Sequence, residues 1–347
     1  MDYARTTLAI VVLAAGDGTR MRSSTPKVLH TLCGRSLLQH VLAVADELTP
    51  RKTVVVLAPH TIEEVRFQVG TRFICVVQSE RLGTGHAVLQ ARADLQDQST
   101  YVLVLYGDTP LLRAETAQSL LALQVEQQAL VGFISFIADP PTGYGRVVRN
   151  AADQVVDLIE DRNATAEQQM ITEVNSGVMC FRADWLWERV LQIAPNPIKG
   201  EYYLTDLVKM AVAEQGLGSV VAFRVEDRRE AWGINDRVQL AQAEAVMRER
   251  ILTSLMREGV TIVDPATTYV DVDVVVGNDT TLLPGTMLRG SSQIGHRCVI
   301  GPYTSIKDAV IGNGTQISYA SIEKQQIGNE QRIGPFAQLG GEEMLES

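Results

Sequence analysis

At 347 residues, with 46% hydrophobic residues and a mean hydropathy of +0.04, the chain has material for more than one domain and a sizeable core. A net charge of −10 and a pI near 5.1 exclude generic nucleic-acid binding, which needs a basic footprint, and no apolar run approaches the roughly 20 residues of a bilayer span. With no charged-then-apolar leader over residues 1–5 and four cysteines (Cys33, Cys75, Cys180, Cys298) outside any CxxC pair, we expect a cytoplasmic protein without membrane contact, disulfides or structural zinc, its thiols packed as small buried hydrophobes.

The first element is LAIVVLA (8–14), an apolar strand that opens into LAAGDGTRMRSSTPK (13–27). SLLQHVLAVADEL (36–48) has helical spacing, and TVVVLA (53–58) and FICVVQ (73–78) read as strands. A helix is expected over TGHAVLQARADL (84–95), a strand over YVLVLYGD (101–108), a helix over TAQSLLALQVEQ (116–127) and a strand over VGFISFI (131–137). Continuous apolar strands alternating with helices predict an α/β domain with a mostly parallel sheet and helices on both faces. In such sheets ligands lie beyond the carboxyl ends of the strands, where the glycine stretch and YGD (106–108) both fall. EDRRE (226–230) reads as a solvated turn, and a long polar helix follows from Asn235 to about Arg257.

Beyond it the pattern changes. Aliphatic residues recur every five or six positions, from Val270, Val276 and Leu282 to Ile327, Ile333 and Leu339, and glycine often follows, as in IGHRCV, IGPYTS and IGNGTQ. This hexapeptide repeat predicts a β-helix of about four coils at roughly 18 residues each.

The glycine loop fits neither of two familiar phosphate motifs. GxGxxG would need glycine at Met21, and the GK[ST] of a Walker loop is absent. What remains is a loop in which Gly16 and Gly18 let backbone N–H groups turn toward phosphates, with Arg20 able to bind phosphate bidentately and Lys27 a point charge beside rigid Pro26. The alternative is an ordinary strand-to-helix turn with solvated basic residues. His30 and His86 lack a Ser or Cys partner at catalytic spacing and read as packing or capping residues.

LAAGDGTRM with TPKVLH, then QSERLGTGHA, YGDTPL, PTGYGRV, EVNSG, GEYYLTD and GIND occur in that order. In these the chain resembles the family of bacterial bifunctional N-acetylglucosamine-1-phosphate uridyltransferase/glucosamine-1-phosphate acetyltransferases. The resemblance implies a Rossmann-like nucleotidyltransferase domain (1–233), a connecting helix (234–259), a short left-handed parallel β-helix (260–341) and a polar tail (342–347). The implied reaction joins UTP and N-acetylglucosamine 1-phosphate into UDP-N-acetylglucosamine with release of pyrophosphate.

By that resemblance Arg20 and Lys27 are the catalytic candidates, and Asp108 and Asn235 hold Mg²⁺. Leu13, Ala14, Ala15, Gly16, Gln78, Gly83 and Thr84 recognise uridine, and Tyr106 and Gly107 line the crevice. Gly145, Glu160, Asn175, Tyr203 and Thr205 take the sugar. Taken singly, Asp108 is equally a turn cap and Asn235 a helix N-cap. Related pairs such as dTTP or glucose 1-phosphate stay open, as does a non-catalytic assembly or sensor subunit of this fold. GPFAQLGGE places Gln338 and Gly340 where the family has arginines, and Trp232 is another departure. The expected product is a uridyltransferase without acetyl transfer, assembled as a homo-oligomer, a trimer by resemblance.

Overall fold

The computed structural model describes residues 6–197 and 199–340; the N-terminal stretch expected to carry no leader and the polar tail at 342–347 lie outside the described residues. The chain divides into two compact units, 1–30 with 37–237 and 31–36 with 238–347. Its strands begin with β1 (Leu8–Ala14), β2 (Thr31–Leu32), β3 (Arg35–Ser36), β4 (Lys52–Leu57), β5 (Ile74–Val77) and β6 (Tyr101–Tyr106). They continue with β7 (Val131–Ile137), β8 (Arg146–Arg149), β9 (Val155–Ile159), β10 (Glu173–Arg182) and β11 (Val220–Arg224). The helices are α1 (Leu37–Glu47), α2 (Ile62–Val69), α3 (Thr84–Gln90), α4 (Arg92–Leu95), α5 (Ala114–Gln127), α6 (Ala183–Arg189), α7 (Asp206–Gln215) and α8 (Arg237–Arg257).

In the first unit a nine-stranded sheet runs β11-β7-β10-β6-β1-β4-β5, with β8 paired to β10 and β9 paired to β8. The apolar runs seen in the sequence become its parallel members: β1 pairs in parallel with both β4 and β6, and β4 with β5. Alternation of side chains across a strand explains the two cores. Val11, Val56 and Val104 face one way, onto α3, α6 and α7. Ile10, Val12, Val55 and Leu105 face the other, onto α1 and α5. β10 departs from the parallel rule and runs against β6 and β7, because it follows the β8–β9 hairpin rather than a crossover helix.

Three expectations need correction. The helix foreseen over 84–95 breaks at Ala91, whose N–H donates to the Val88 carbonyl in a tight turn at 3.0 Å. EDRRE is not simply solvated: Glu230 is buried, accepting from Thr116 Oγ1 at 2.6 Å and the Arg113 N–H at 3.2 Å, which ties the segment to α5. Among the thiols Cys75 is only half-buried, while the other three are buried, and all four are free. Among the described residues no helix is long and apolar enough to cross a membrane.

The second unit is a stack of coils. Three parallel sheets, one for each face of a prism, carry its short strands: one runs through Thr281–Leu282, Val299–Ile300 and Gln316–Ile317, a second through Met287–Arg289, Ser305–Lys307 and Ser321–Glu323, and a third through Val275–Val276, Gln293–Ile294 and Val310–Ile311. The repeating aliphatic is the inward residue each time: Leu282, Leu288, Ile300 and Ile306 are fully buried in one core with Leu252 and Leu255 of α8. Buried corner hydroxyls find carbonyls, as Thr280 does with Gly295 at 2.8 Å and Thr315 with Gly328 at 2.9 Å. The β2–β3 hairpin belongs to this unit: the Cys33 N–H donates to Glu244 Oε2 at 3.0 Å, the Val272 N–H donates to the Cys33 carbonyl, and Arg35 pairs with Asp273.

Two of the glycines that follow an inward aliphatic have a steric cause. A Cβ on Gly277 would stand 2.7 Å from the Gly295 carbonyl carbon, and one on Gly312 would stand 2.5 Å from the Gly328 carbonyl carbon. The coils therefore stack at a spacing that only hydrogen allows. Gly312→Ala is expected to destabilise the prism by about 1–3 kcal/mol, the range of overpacking into backbone that has no room to yield. Chemical denaturation followed by far-UV circular dichroism checks this, and an unchanged midpoint would contradict the close stacking.

Candidate functional site

Two central strands end side by side. The β1–β6 register sets Leu13 opposite Tyr106, and the Gly107 N–H donates to the Leu13 carbonyl at 2.9 Å. Gly107 has no space for a side chain, since a Cβ there would lie 3.1 Å from Ala14 Cβ and 3.3 Å from Leu38. Beyond β1 the chain turns at Gly18, in the left-handed region at φ 60°, where any Cβ would overlap Lys27. A short 3-10 turn (Thr19–Met21) then sinks Met21 into the interior, and a second one (Lys27–Leu29) follows Pro26.

Lys27 is the hub of the site. Its ammonium forms an ion pair with Asp108 Oδ2 and donates to Asn235 Oδ1 at 3.1 Å, with side-chain exposures of 11% for Lys27 and 19% for Asp108. Asn235 arrives there because the Ile234 N–H donates to the Asp108 carbonyl at 2.9 Å. Thr109 closes the turn after β6 through its hydroxyl on the Tyr106 carbonyl at 2.8 Å. That leaves the Asp108 carboxylate turned toward Lys27.

Lys27 and Asp108 border a cavity of about 280 Å³. Of the residues expected from the sequence, Leu13, Ala14, Ala15, Gly16, Lys27, Gln78, Gly83, Thr84, Tyr106, Asp108 and Tyr203 line it. Gln78 is 4% exposed, fixed through its N–H to the Leu57 carbonyl at 2.8 Å. Tyr203 is delivered by a segment clipped to the start of α3: the Gly85 N–H donates to the Tyr202 carbonyl at 2.8 Å and the Leu204 N–H to Thr84 Oγ1 at 3.0 Å. Burial pushes the Tyr106 phenol well above its usual pKa, with the Glu160 and Asp108 carboxylates adding to it. Burial, with Glu201, pushes Tyr203 up to about 12. Both phenols are therefore neutral donors at physiological pH.

The remaining expected residues stand outside the lining. Asn235 joins through Lys27, and Gly107 packs against Ala14, Leu38 and Val28. Thr205 Oγ1 donates to Glu160 Oε1 at 3.0 Å, and the Asn175 N–H donates to the Gly145 carbonyl at 2.8 Å. Asn175 Oδ1 accepts the Gly177 N–H at 3.0 Å, and a Cβ on Gly177 would meet the Tyr106 ring at 2.9 Å. Arg20 is exposed on the first 3-10 turn and is not among the lining residues. The cavity also takes Val28, Arg81, Ala87 and Glu201, which sequence reasoning passed over. Arg81 sits within the quoted QSERLG and is ion-paired with Asp17 of the glycine loop. Its position between Gln78 and Gly83 was the available signal. His30 is buried, and burial, aided by Arg237, lowers its pKa, in keeping with a packing role.

A polar network holds the β8–β9 side. Arg149 clamps Glu173 from Nε at 2.7 Å and Nη2 at 2.8 Å, while Ser135 Oγ donates to Glu173 at 2.6 Å. Arg146, 2% exposed, pairs with Asp161 at 2.7 Å and also donates to the Tyr144 carbonyl, holding the turn before Gly145. Among the described residues no group of three or more His, Cys, Asp or Glu side chains is arranged to hold a metal ion. Any metal here would rest on Asp108, Asn235 and oxygens supplied by a ligand.

A doubly covered sheet with a glycine loop and an anchored Lys-Asp-Asn cluster at its carboxyl edge, together with a hexapeptide prism, defines a nucleotidyltransferase of the hexapeptide-bearing kind. The family model of the MobA-like NTP transferase domain matches residues 10–175, and that of the bacterial transferase hexapeptide (six repeats) matches 273–308. The chain is 42% identical over 330 residues to the bifunctional protein GlmU of Geobacillus sp. (strain WCH70), covering 95% of this chain and 71% of that protein. It is 41% identical to the one from Halalkalibacterium halodurans (96% and 73% covered) and 40% identical to the one from Clostridioides difficile (95% and 71%). The chain belongs to the GlmU family.

Glu173 gives this site a pH signature. Burial alone would raise its pKa, but hydrogen bonds from Arg149 and Ser135 outweigh that and bring it below the usual value. A depressed carboxylate contributes stability that is fully present above the unfolded glutamate pKa of about 4.3 and is lost as pH falls through the folded value. Glu173→Gln is expected to cost about 1–3 kcal/mol at pH 7, with the gap to wild type closing in acid below that value. Urea denaturation at pH 7 and pH 3 measures both, and a gap that widened in acid would contradict the assignment.

Proposed function

We propose that this chain makes UDP-N-acetylglucosamine and pyrophosphate from UTP and N-acetylglucosamine 1-phosphate. The observation that carries the reading is the Lys27 ammonium set between the Asp108 and Asn235 oxygens, beside a glycine loop at the carboxyl ends of β1 and β6. A phosphate oxygen of the sugar phosphate attacks the α-phosphorus, a new P–O bond forms, and the bond to the bridging oxygen of the departing pyrophosphate breaks. The reaction needs no protein nucleophile, so positioning and charge neutralisation account for the catalysis. Arg20 and Lys27 take the phosphates, Lys27 the α-phosphate. The backbone of Leu13 to Gly16 supports the nucleotide, Gln78, Gly83 and Thr84 face the base, and Glu160, Asn175, Gly145, Tyr203 and Thr205 form the sugar side.

Asp108 and Asn235 already converge on a positive charge, and a carboxylate with an amide oxygen is a donor set that suits Mg²⁺, which takes few protein oxygens and completes its shell with phosphates and water. Bound there, the ion supplies neutralisation of phosphate charge. In the same reading the enzyme works in the cytoplasm and the prism serves assembly, as a trimer. Gln338 and Gly340, standing where the resemblance expects arginines, support a prism that does not transfer acetyl groups.

The test is pyrophosphate release from purified protein with UTP, N-acetylglucosamine 1-phosphate and Mg²⁺. Lys27→Ala and Asp108→Ala are expected to lower kcat by about 100-fold or more, the scale of losing one preorganised charge partner, and chelation is expected to abolish turnover. Unchanged turnover in either variant would remove the site from consideration, and a strong preference for dTTP would replace the donor. No acetylation of glucosamine 1-phosphate by acetyl-coenzyme A is expected, and its appearance would overturn the reading of the prism.

A further inference from the structure

We propose that His86 is a positioning residue that fixes which face Gln78 shows to the base, so that the cavity selects uracil over cytosine; this rests on the uridine reading above. A glutamine amide carries two N–H donors at one end and an acceptor oxygen at the other. Gln78 Nε2 lies 3.1 Å from the Gly83 carbonyl, which can only accept, so chemistry alone assigns this end of the amide as nitrogen. The same nitrogen lies 3.1 Å from His86 Nδ1. Both donors are thereby committed, and Oε1, without a protein partner among the described residues, is the group left for a ligand in the cavity that Gln78 lines.

An acceptor at that place matches the N3–H of uracil. Cytosine presents a bare N3 acceptor there, and two acceptors repel. Selectivity by a fixed hydrogen-bonding group is strong because the wrong partner leaves a buried polar atom unpaired.

The tautomer of His86 follows from its second neighbour. Gln90 Nε2 donates to the His86 carbonyl at 3.0 Å and lies 3.2 Å from His86 Nε2. A neutral imidazole has one N–H, so its ring can accept from only one of the two amides. Gln90 already has a carbonyl acceptor and is half-buried, whereas the second N–H of buried Gln78 has only Nδ1 to meet. The proton therefore belongs on Nε2, and the 3.2 Å approach of Gln90 Nε2 to that nitrogen is then a close contact and not a hydrogen bond. His86 acts through Gln78, and the pair spans one loop and the first turn of α3, a link that spacing alone does not announce.

The experiment compares kcat/KM for UTP and CTP, with N-acetylglucosamine 1-phosphate, in wild type, His86→Leu and His86→Asn, each shown to be folded by its thermal melt. The wild type is expected to prefer UTP. In His86→Leu the amide of Gln78 is free to turn, and the UTP-to-CTP ratio is expected to fall about tenfold, on the scale of one net hydrogen bond, mainly through a higher KM for UTP. In His86→Asn, Oδ1 replaces Nδ1 as the acceptor and most of the ratio is expected to return. On the unmodified protein, ¹⁵N spectra of histidine-labelled enzyme are expected to show the Nε2–H tautomer in the signal that His86→Asn removes. An unaltered ratio in folded His86→Leu, or an Nδ1–H tautomer, overturns the role of His86 while the uridine reading stands. A wild type indifferent to the base removes the uridine reading itself.

Discussion

The pairing of β1 with β6 is the constraint on which the site depends. Parallel strands in register deliver whatever follows them to the same edge of a sheet, and here one strand is followed by the glycine loop and the other by Asp108. The Gly107 N–H on the Leu13 carbonyl ends the ladder and starts the divergence of the two chains. A slip of one residue would turn Leu105 and Val104 to opposite cores and carry Asp108 away from Lys27. Apolar burial on both faces of the sheet therefore fixes the polar geometry at its end. The same edge recruits the distant Asn235 through a main-chain bond from Ile234 to Asp108.

Local features were legible in the sequence for local reasons. A strand that is apolar at every position announces burial on both faces, and the glycine loop, Lys27 and Asp108 follow directly from the ends of such strands. The prism was plainer still, because its period restates the inward aliphatic at every coil, with glycine where backbone approaches closely, as at Gly277. Several other features had no local signature. Glu230 looks solvated in EDRRE until Thr116 and Arg113, more than a hundred residues earlier, are seen to donate to it. β10 carries no crossover helix before it, and its antiparallel course follows from the hairpin that precedes it. Arg20, in the same loop, stands exposed on the 3-10 turn that follows Gly18.

The two units illustrate different ways of encoding structure. In the prism each residue type recurs with its environment, so stacking alone specifies the coil and the buried threonines satisfy the carbonyls at the corners. In the sheet unit, single contacts of high sequence separation set the site: Lys27 to Asn235, Arg149 to Glu173, Leu204 to Thr84. Such contacts form only after the apolar core has brought their elements together. The chemistry is thus coded by pairs and the scaffold by repetition.

Charge compensation sets how the cavity meets a polyanion. The chain is acidic overall, and both cations on the lining are already paired, Lys27 with Asp108 and Arg81 with Asp17. The cavity therefore does not present a bare positive field. The two pairs differ in how readily they yield. Arg81 and Asp17 have side-chain exposures of 52% and 38%, where solvent screening leaves an ion pair worth little. Lys27 and Asp108 are far more enclosed, and Asn235 adds a second oxygen to the same ammonium. The outer pair opens at small cost while the inner one keeps its geometry, so a site built this way gains rate from fixed placement more than from attraction at a distance.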